Sequence, residues 1–541
     1  MSGDLLQTAR AWADADPHDG DRAEIEALIE AENWPELATR FAGPLTFGTA
    51  GLRGPLRAGP SGMNAAVVTR AAAGLARYLA DSGHAGGGVV IGFDARRRSD
   101  EFAHISAAVL TGAGFAVQVL PKPLPTPVLA YAVRHLGCVA GVMVTASHNP
   151  PEDNGYKVYL GDGAQLVPPA DRLIEGAIAA IGPAREVPLD DEWLTLGHDV
   201  EADYVAAVVD AIEPSRVPSR GNLVVAYTAM HGVGAATTRA VFAAAGLAEP
   251  HSVPEQDSPD PAFPTVSFPN PEEPGATDLL KALATRTGAD VAIAEDPDAD
   301  RCAVVCGGRQ LTGDEVGALL ADWLLRRGAR GTYASSLVSG SLMHVVAGTA
   351  GQPSAETPTG FKWIIRAGSP DAPLVFGYEE ALGYAVTPSI ARDKDGISAA
   401  LAVALLAAEL KADGRTLLDR LDELATEHGL FVTGQLSVRV EDLTLISDAM
   451  ARLRAAPPKS LLGREVAYAD LALEDPPVDA VRLLGDGVRV IVRPSGTEPK
   501  LKAYLETVVP VHDDAGLIAA RGRGEDELDQ LRAEMSAALG L

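Results

Sequence analysis

Short continuous apolar runs, each followed by a longer amphipathic stretch, recur along most of the chain. Residues 88–93 (GVVIGF) and 115–120 read as strands, and 99–112 between them as a helix with one apolar face. A second unit opens with the strand 223–227, turns through a glycine-containing loop at 230–234 and continues into an alanine-rich helix ending at Ala245. A third opens at 332–337, turns near Gly340 and runs through a helix to Ala347. The units lie roughly 110–135 residues apart, too far for a solenoid repeat and suited to three copies of one domain.

Alternating strands and helices predict an α/β fold: three similar α/β domains with mixed sheets, plus a smaller α+β C-terminal domain. The expected division is a helical lead-in at 1–40, α/β domains at 41–205, 206–313 and 314–430, and the C-terminal domain at 431–541. Helices are expected at 5–15 and 22–31 in the lead-in. Residues 45–64, carrying Gly48, Gly51, Gly54, Gly59 and Gly62, read as a loop. The proline-rich stretches 183–199 and 254–274 read as a connector and a long internal loop. Beyond Gly429 the pattern gives a strand at 431–440, a helix at 445–455, strands within 481–492 and a final helix from Gly524.

The longest apolar run, 399–408, is too short to span a bilayer and reads as a buried helix entered from Asp395-Gly396. A net charge of −28 over 541 residues excludes a general nucleic-acid surface and an anionic membrane surface. An anionic small substrate then needs local Arg and Lys to override the global field. Cys138, Cys302 and Cys306 lie in or beside apolar runs without zinc-site spacing, and the N-terminus lacks a signal peptide's pattern; a reduced cytoplasmic protein is expected.

Four loops carry the candidate chemistry. In VTASHNPPEDNGYK (144–157) a strand delivers Ser147 to a turn stiffened by two prolines, with Asn149 and Asn154-Gly155 as turn formers. A hydroxyl held there could serve as a nucleophile or a phosphate carrier, or the turn could be purely structural. In VAIAEDPDADR (291–301) Asp296, Asp298 and Asp300 alternate along an extended loop, as oxygen ligands for Mg²⁺ or Ca²⁺ would. An EF-hand is excluded because its sixth and twelfth positions hold Arg301 and Gly307. FGYEEALGY (376–384) offers Glu379 and Glu380 to vicinal hydroxyls, after a strand expected at 373–376. VIVRPSGTEPK (490–500) combines Arg493, Ser495, Gly496 and Thr497, which suits a phosphate monoester. Arg53 and Arg57 in the glycine-rich stretch suit an anion as well.

Together these motifs resemble the α-D-phosphohexomutase family, the phosphoglucomutases and phosphomannomutases. TASHNP, DPDADR, GYEEALGY and RPSGTEP occur in the family's order, over nearly the whole chain from about residue 45. FGTAGLRG and GYEEALGY look most like the branch holding phosphoglucomutases and their phosphopentomutase relatives. The resemblance implies that Ser147 is the phosphoserine, and that Asp296, Asp298 and Asp300 hold Mg²⁺ with a phosphoserine oxygen as a further ligand. It places Arg53, Lys157 and Arg301 at or beside the reacting centre. Glu379 would take the sugar hydroxyls, Thr359, Gly360 and Lys394 would line the sugar pocket, and Arg493, Ser495, Gly496 and Thr497 would grip the distal phosphate.

The implied reaction interconverts hexose 1- and 6-phosphates, glucose before mannose before pentose, through a sugar 1,6-bisphosphate that reorients. A mobile last domain would open for that step. Lys157 is favoured over His148 as general base, provided that its pKa is lowered by neighbouring cations and desolvation. Adjacent residues normally point apart, so His148 is expected to order the turn rather than form a dyad with Ser147. Two departures bear on the sugar: Ala381 stands where many members have serine, and Tyr384 where some bacterial members have histidine. A non-catalytic phosphosugar-binding protein and a phosphohydrolase are the rival classes. A phosphosugar is the expected partner, with neither nucleic acid nor membrane, and the protein a monomer or homodimer.

Overall fold

In the computed structural model the described residues are 2–47, 51–213, 222–440, 442, 444–495, 500–511 and 514–540. The apolar runs of the first domain become the middle of a six-stranded sheet. Its strands are β1 (Leu52–Pro55), β2 (Gly88–Phe93), β3 (Ala116–Val119), β4 (Ala140–Val144), β5 (Asp153–Leu160) and β6 (Leu194–Thr195), in the order β1-β5-β4-β2-β3-β6. β4, β2, β3 and β6 run parallel, while β5 and β1 add antiparallel at one edge. Every residue of β4 is buried, which is why its sequence is a continuous apolar run rather than an alternating one. Leu75, Ile91, Phe102, Leu110, Val142 and Tyr156 share one core beneath this sheet.

The lead-in holds α1 (Ser2–Ala15), α2 (Asp19–Glu30) and α3 (Trp34–Arg40), packed around Ala9, Ala13, Ile25 and Leu37. The third helix escaped the sequence reading, although Asn33 caps it and Pro35 sits in its first turn. Asp21 Oδ2 accepts from Ala65 N at 3.0 Å, at the start of α4 (Ala65–Asp81), and Asp21 also pairs with Arg98 at 2.7 and 3.0 Å. Arg98 precedes α5 (Ser99–Gly112).

A second mixed sheet runs β11-β10-β9-β7-β8, with β7 (Val225–Thr228), β8 (His251–Ser252), β9 (Val291–Glu295), β10 (Cys302–Cys306) and β11 (Arg309–Gln310). Residues 254–274 are a long irregular loop apart from one short 3₁₀ turn. Met1–Gln310 and Gly383–Ala408 form one compact unit, so the later segment returns to the first two domains. Asp393 Oδ2 accepts from Tyr159 Oη and Gln165 Nε2, both at 2.6 Å, and Asp395 Oδ1 accepts from Tyr204 Oη at 2.8 Å. The helix that follows, Gly396–Ala412, is apolar on every side and buried from Ile397 through Leu406.

Leu311–Leu382 and Glu409–Leu541 form the other unit. Its first sheet runs β13-β12-β15-β14, with β12 (Thr332–Ser336), β13 (Ser354–Thr357), β14 (Gly368–Ser369) and β15 (Ala372–Glu379). β12 pairs parallel with β13 and β15, and β14 antiparallel with β15. The C-terminal domain is an antiparallel sheet led by Leu430–Arg439 and Lys500–Val509, with helices Thr444–Ala455 and Asp514–Leu539. Met450, Leu453, Leu483, Val490, Leu505 and Leu531 form its core. The expected class is therefore observed. No helix among the described residues is long and apolar enough to cross a membrane.

Several local expectations were wrong for one shared reason: glycine served close approach, not a turn. Residues 52–55, expected as loop, form β1, and Asn154-Gly155, expected as turn formers, lie in β5 opposite it. A Cβ at Gly155 would lie 2.8 Å from Leu52 O, and one at Gly51 would lie 2.3 Å from Tyr156 O. Likewise β15 continues through Gly377 to Glu379 instead of stopping at Phe376. The last helix begins at Asp514, not at Gly524, where a Cβ would meet Val432 Cγ2 at 2.6 Å.

Candidate active site

β4 ends at Val144 and hands the chain to Thr145, whose Oγ1 accepts from Ser147 N at 2.8 Å. Ser147 is buried with φ +53°, a left-handed conformation that a non-glycine residue holds only when its surroundings over-determine it. Its Oγ donates to Asp296 Oδ2 at 2.6 Å and lies 3.1 Å from His148 Nδ1. The expected divergence of these adjacent side chains is thus corrected: the left-handed residue folds the chain back and brings the imidazole to the hydroxyl. Burial pushes the His148 pKa well below its usual value, and Arg301 and Arg53 push the same way, so the ring is neutral. Phe268, from the proline-rich loop, packs edge-on against it with centroids 6.3 Å apart.

The acidic loop follows β9 directly. Asp296 Oδ1 accepts from Asp300 N at 3.1 Å and Arg301 N at 3.0 Å, and Ala299 turns the loop at φ +54°. Each of Asp296, Asp298 and Asp300 is fully buried, and one oxygen from each lies within 4.8 Å of the others. Asp298 Oδ1 and Asp300 Oδ1 are buried without a hydrogen-bond partner. Three buried carboxylates gathered this closely, two of them with an oxygen that no hydrogen bond satisfies, fit a hard divalent cation. Burial, reinforced by Asp298 and Asp300, pushes the Asp296 pKa well up. Burial also raises that of Asp300, but Lys157, Lys394 and Arg301 outweigh it and hold the carboxyl below its usual range.

Cations close the cluster. Lys157, fully buried in β5, donates through Nζ to Asp298 Oδ2 at 2.7 Å and Asp300 Oδ2 at 2.8 Å. Desolvation lowers its pKa, but the two carboxylates outweigh this and raise it, so the side chain is an ammonium. The lowered pKa on which a general-base role depends is therefore not found here, because the dominant neighbours are anions. Lys394 Nζ lies 3.2 Å from Asp300 Oδ2, on the acidic cluster. Arg53 Nη1 donates to Asn149 Oδ1 at 3.2 Å, and Arg301 Nη1 donates to Glu272 Oε2 at 3.2 Å. Arg57 instead bonds Ser61 Oγ at 3.0 Å within its own loop.

The remaining candidates lie in the other unit. Gly360 N donates to Glu379 Oε1 at 2.8 Å, which joins the Thr359-Gly360 turn to the glutamate, and Thr359 Oγ1 is buried without a hydrogen-bond partner. Glu380 is drawn inward by Ser336 and Ser339, at 3.0 and 3.2 Å. Arg493 stands near the end of the strand Val488–Pro494, and Ser495 N donates to Lys500 O at 2.8 Å. Gly496 and Thr497 lie outside the described residues. Sequence reasoning missed Thr126, whose Oγ1 donates to Asp298 Oδ2 at 2.6 Å, and the segment after β2 containing Asp94 and Arg96. The second was signalled by its place, directly after a buried strand flanking the one that leads to Ser147.

Four phosphoglucomutase/phosphomannomutase family models match in succession: alpha/beta/alpha domain I at residues 44–185, domain II at 202–309, domain III at 312–428 and the C-terminal domain at 436–514. The chain belongs to this family, the α-D-phosphohexomutases, and is a phosphosugar mutase, an isomerase acting as an intramolecular phosphotransferase. Among its relatives is a "probable phosphomannomutase" of Haemophilus influenzae, 44% identical over 87% of this chain and 96% of the relative. A phosphopentomutase of Mus musculus is 35% identical, over 94% of this chain and 91% of the relative. A phosphoglucomutase of Staphylococcus aureus is 32% identical, over 91% of this chain and 94% of the relative.

Proposed function

We propose that the chain interconverts the 1- and 6-phosphates of a hexose, glucose first, with Ser147 as the phosphoryl carrier. The observation that carries this reading is the 2.6 Å contact between Ser147 Oγ and Asp296, on the edge of three buried carboxylates. Phosphorylated Ser147 gives its phosphoryl group to a free sugar hydroxyl: the bond from phosphorus to Ser147 Oγ breaks as the bond to the sugar oxygen forms, the hydroxyl's proton ends on Ser147 Oγ, and the sugar becomes a 1,6-bisphosphate. After reorientation the other phosphoryl group returns to Ser147, and the isomeric monophosphate leaves. Such a transfer needs alignment and charge neutralisation more than covalent help.

Asp296, Asp298 and Asp300 would hold Mg²⁺, which when bound neutralises charge on the transferring group. Lys157 and Arg53 contribute positive charge beside the turn, and Lys157 is assigned this role in place of general base. His148 is assigned to hold the Ser147 hydroxyl through Nδ1. Arg301 and Lys394 would contact substrate where they border the acidic loop. Glu379, positioned by Gly360 N and flanked by Thr359, would read the sugar hydroxyls. Arg493 and Ser495, with Gly496 and Thr497, would bind the distal phosphate. The cytoplasm is the proposed location, in keeping with three free, buried cysteines.

Glucose rests on the likeness of FGTAGLRG and GYEEALGY to the phosphoglucomutase branch. Mannose and pentose gain support from the names of the H. influenzae and mouse relatives. Intact mass should show one phosphate on a fraction of the protein, absent from Ser147→Ala, and that variant should lose turnover. Full turnover in Ser147→Ala would refute the carrier assignment. Glucose, mannose and ribose 1-phosphates, assayed with catalytic sugar bisphosphate, decide the sugar; fastest turnover of ribose 1-phosphate would make the chain a pentose mutase.

A further inference from the structure

The six residues from Asp94 to Ser99, directly after β2, grip the Ser147 turn from both ends. At the front, Asp94 Oδ2 accepts from Thr145 Oγ1 at 2.6 Å, and Thr145 Oγ1 accepts from Ser147 N at 2.8 Å. At the back, Asn154 Nδ2 donates to Arg97 O at 2.9 Å and Ser99 Oγ at 3.0 Å. Between them lies Arg96. Its Nη2 donates to Ser147 O at 2.7 Å and Asn149 O at 2.5 Å, and its Nη1 to Pro150 O at 2.8 Å and Asp153 O at 3.2 Å.

One buried guanidinium therefore serves four carbonyls of a single turn. The turn needs such a donor because it is short of its own: Pro150 and Pro151 have no N–H, and buried carbonyls left unpaired are costly. The fork itself is fixed. Asp94 Oδ2 lies 3.5 Å from Arg96 Nε, Ser99 Oγ donates to Asp94 Oδ1 at 2.6 Å, and the Phe263 ring covers the guanidinium with its centroid 4.9 Å from Cζ. Ser147 is left-handed, so the direction of its Cα–Cβ bond depends on its own carbonyl and those that follow being held.

We propose that Arg96 is a positioning residue for phosphoryl transfer: by clamping the carbonyls of Ser147, Asn149, Pro150 and Asp153, it aims the Ser147 hydroxyl at the acidic cluster. It touches neither the reacting oxygen nor the metal-site carboxylates and acts only through the turn. The proposal rests on Ser147 being the phosphoryl carrier. Lysine keeps the charge but offers a point donor in place of a planar fork, so it cannot reproduce four directed bonds. A misplacement of about 1 Å at a reacting atom costs on the order of 100-fold in rate.

The test is Arg96→Lys in the full-length enzyme with Mg²⁺, assayed well below its melting temperature. Expected are a kcat lowered about 100-fold per folded molecule and a KM within about twofold of wild type. The single-turnover rate at which saturating sugar bisphosphate phosphorylates dephosphorylated enzyme should fall equally. A merely structural arginine would lower the melting temperature and leave kcat per folded molecule unchanged, and that result overturns the proposal. Should Arg96→Lys not fold, Asp94→Asn decides instead. It removes the carboxylate charge beside Arg96 Nε that fixes the fork, and unchanged kcat per folded molecule there overturns the proposal equally. Ser147→Ala runs alongside: if it stays active the carrier reading itself fails, whereas an inactive Ser147→Ala with a wild-type Arg96→Lys sinks only the role of Arg96.

Discussion

Lys157 Nζ and Asp298 Oδ2 lie 2.7 Å apart with both side chains fully buried. A buried ion pair adds little net stability, but removing one partner strands the other charge at a cost of about 3–5 kcal/mol. Lys157→Met should therefore destabilise the metal-free protein by about that amount, because Asp298 and Asp300 lose their shared ammonium. Urea denaturation should show part of the loss recovered on adding Mg²⁺. Equal losses with and without Mg²⁺ would separate Lys157 from the metal site.

Three carboxylates sharing one buried centre should bind a divalent cation in the folded state only. Mg²⁺ at 100 times its Kd should then add about 2.7 kcal/mol of stability, visible as a raised melting temperature. Chelation should abolish mutase turnover, and Mg²⁺ should restore it. Asp298→Asn should lose the Mg²⁺-induced rise in melting temperature, whereas a rise of wild-type size would place the ion elsewhere.

Gly155 is held between two backbone oxygens. A Cβ there would lie 2.5 Å from Thr145 O and 2.8 Å from Leu52 O, contacts that backbone cannot relieve cheaply. Gly155→Ala should cost more than about 2 kcal/mol and should slow turnover as well, since Thr145 leads into the Ser147 turn. Chemical denaturation alongside kcat checks both; a variant as stable as wild type would mean that β1 and β5 can separate locally.

The Asp21–Arg98 pair should make stability fall in acid. Burial alone would raise the Asp21 carboxyl, but the Arg98 guanidinium and Ala65 N–H outweigh it, and its folded pKa lies below the ordinary 3.8. A depressed carboxyl stabilises fully above the unfolded value and loses that contribution as pH drops through the folded one. Asp21→Asn should therefore cost about 2 kcal/mol at pH 7, with the gap from wild type narrowing below about pH 4. Urea titrations at pH 7 and pH 3 measure it, and a gap that widens in acid would have the sign wrong.

What could be read in advance followed from chemistry that is local in sequence. The apolar runs located the strands because β2 and β4 are buried on both faces, and the alternating aspartates located the acidic cluster because all three leave one loop. Long-range pairing was less legible. Nothing near Gly51 or Gly155 says that two strands approach there, and nothing near Arg96 says that its acceptors lie more than fifty residues ahead. Likewise the charge state of Lys157 depends on carboxylates some 140 residues away, which nothing in its own loop announces.

The return of Gly383–Ala408 to the first unit sets an order on synthesis. Until that segment has left the ribosome, Tyr159, Gln165 and Tyr204 have no Asp393 or Asp395 to bond, and Asp300 lacks Lys394. A nascent chain ending at Gln310 would carry the serine and all three aspartates yet hold them in an unfinished setting. The setting of the serine and the acidic cluster is thus completed late, after most of the following domain has been translated and with residues 409–541 still to be made.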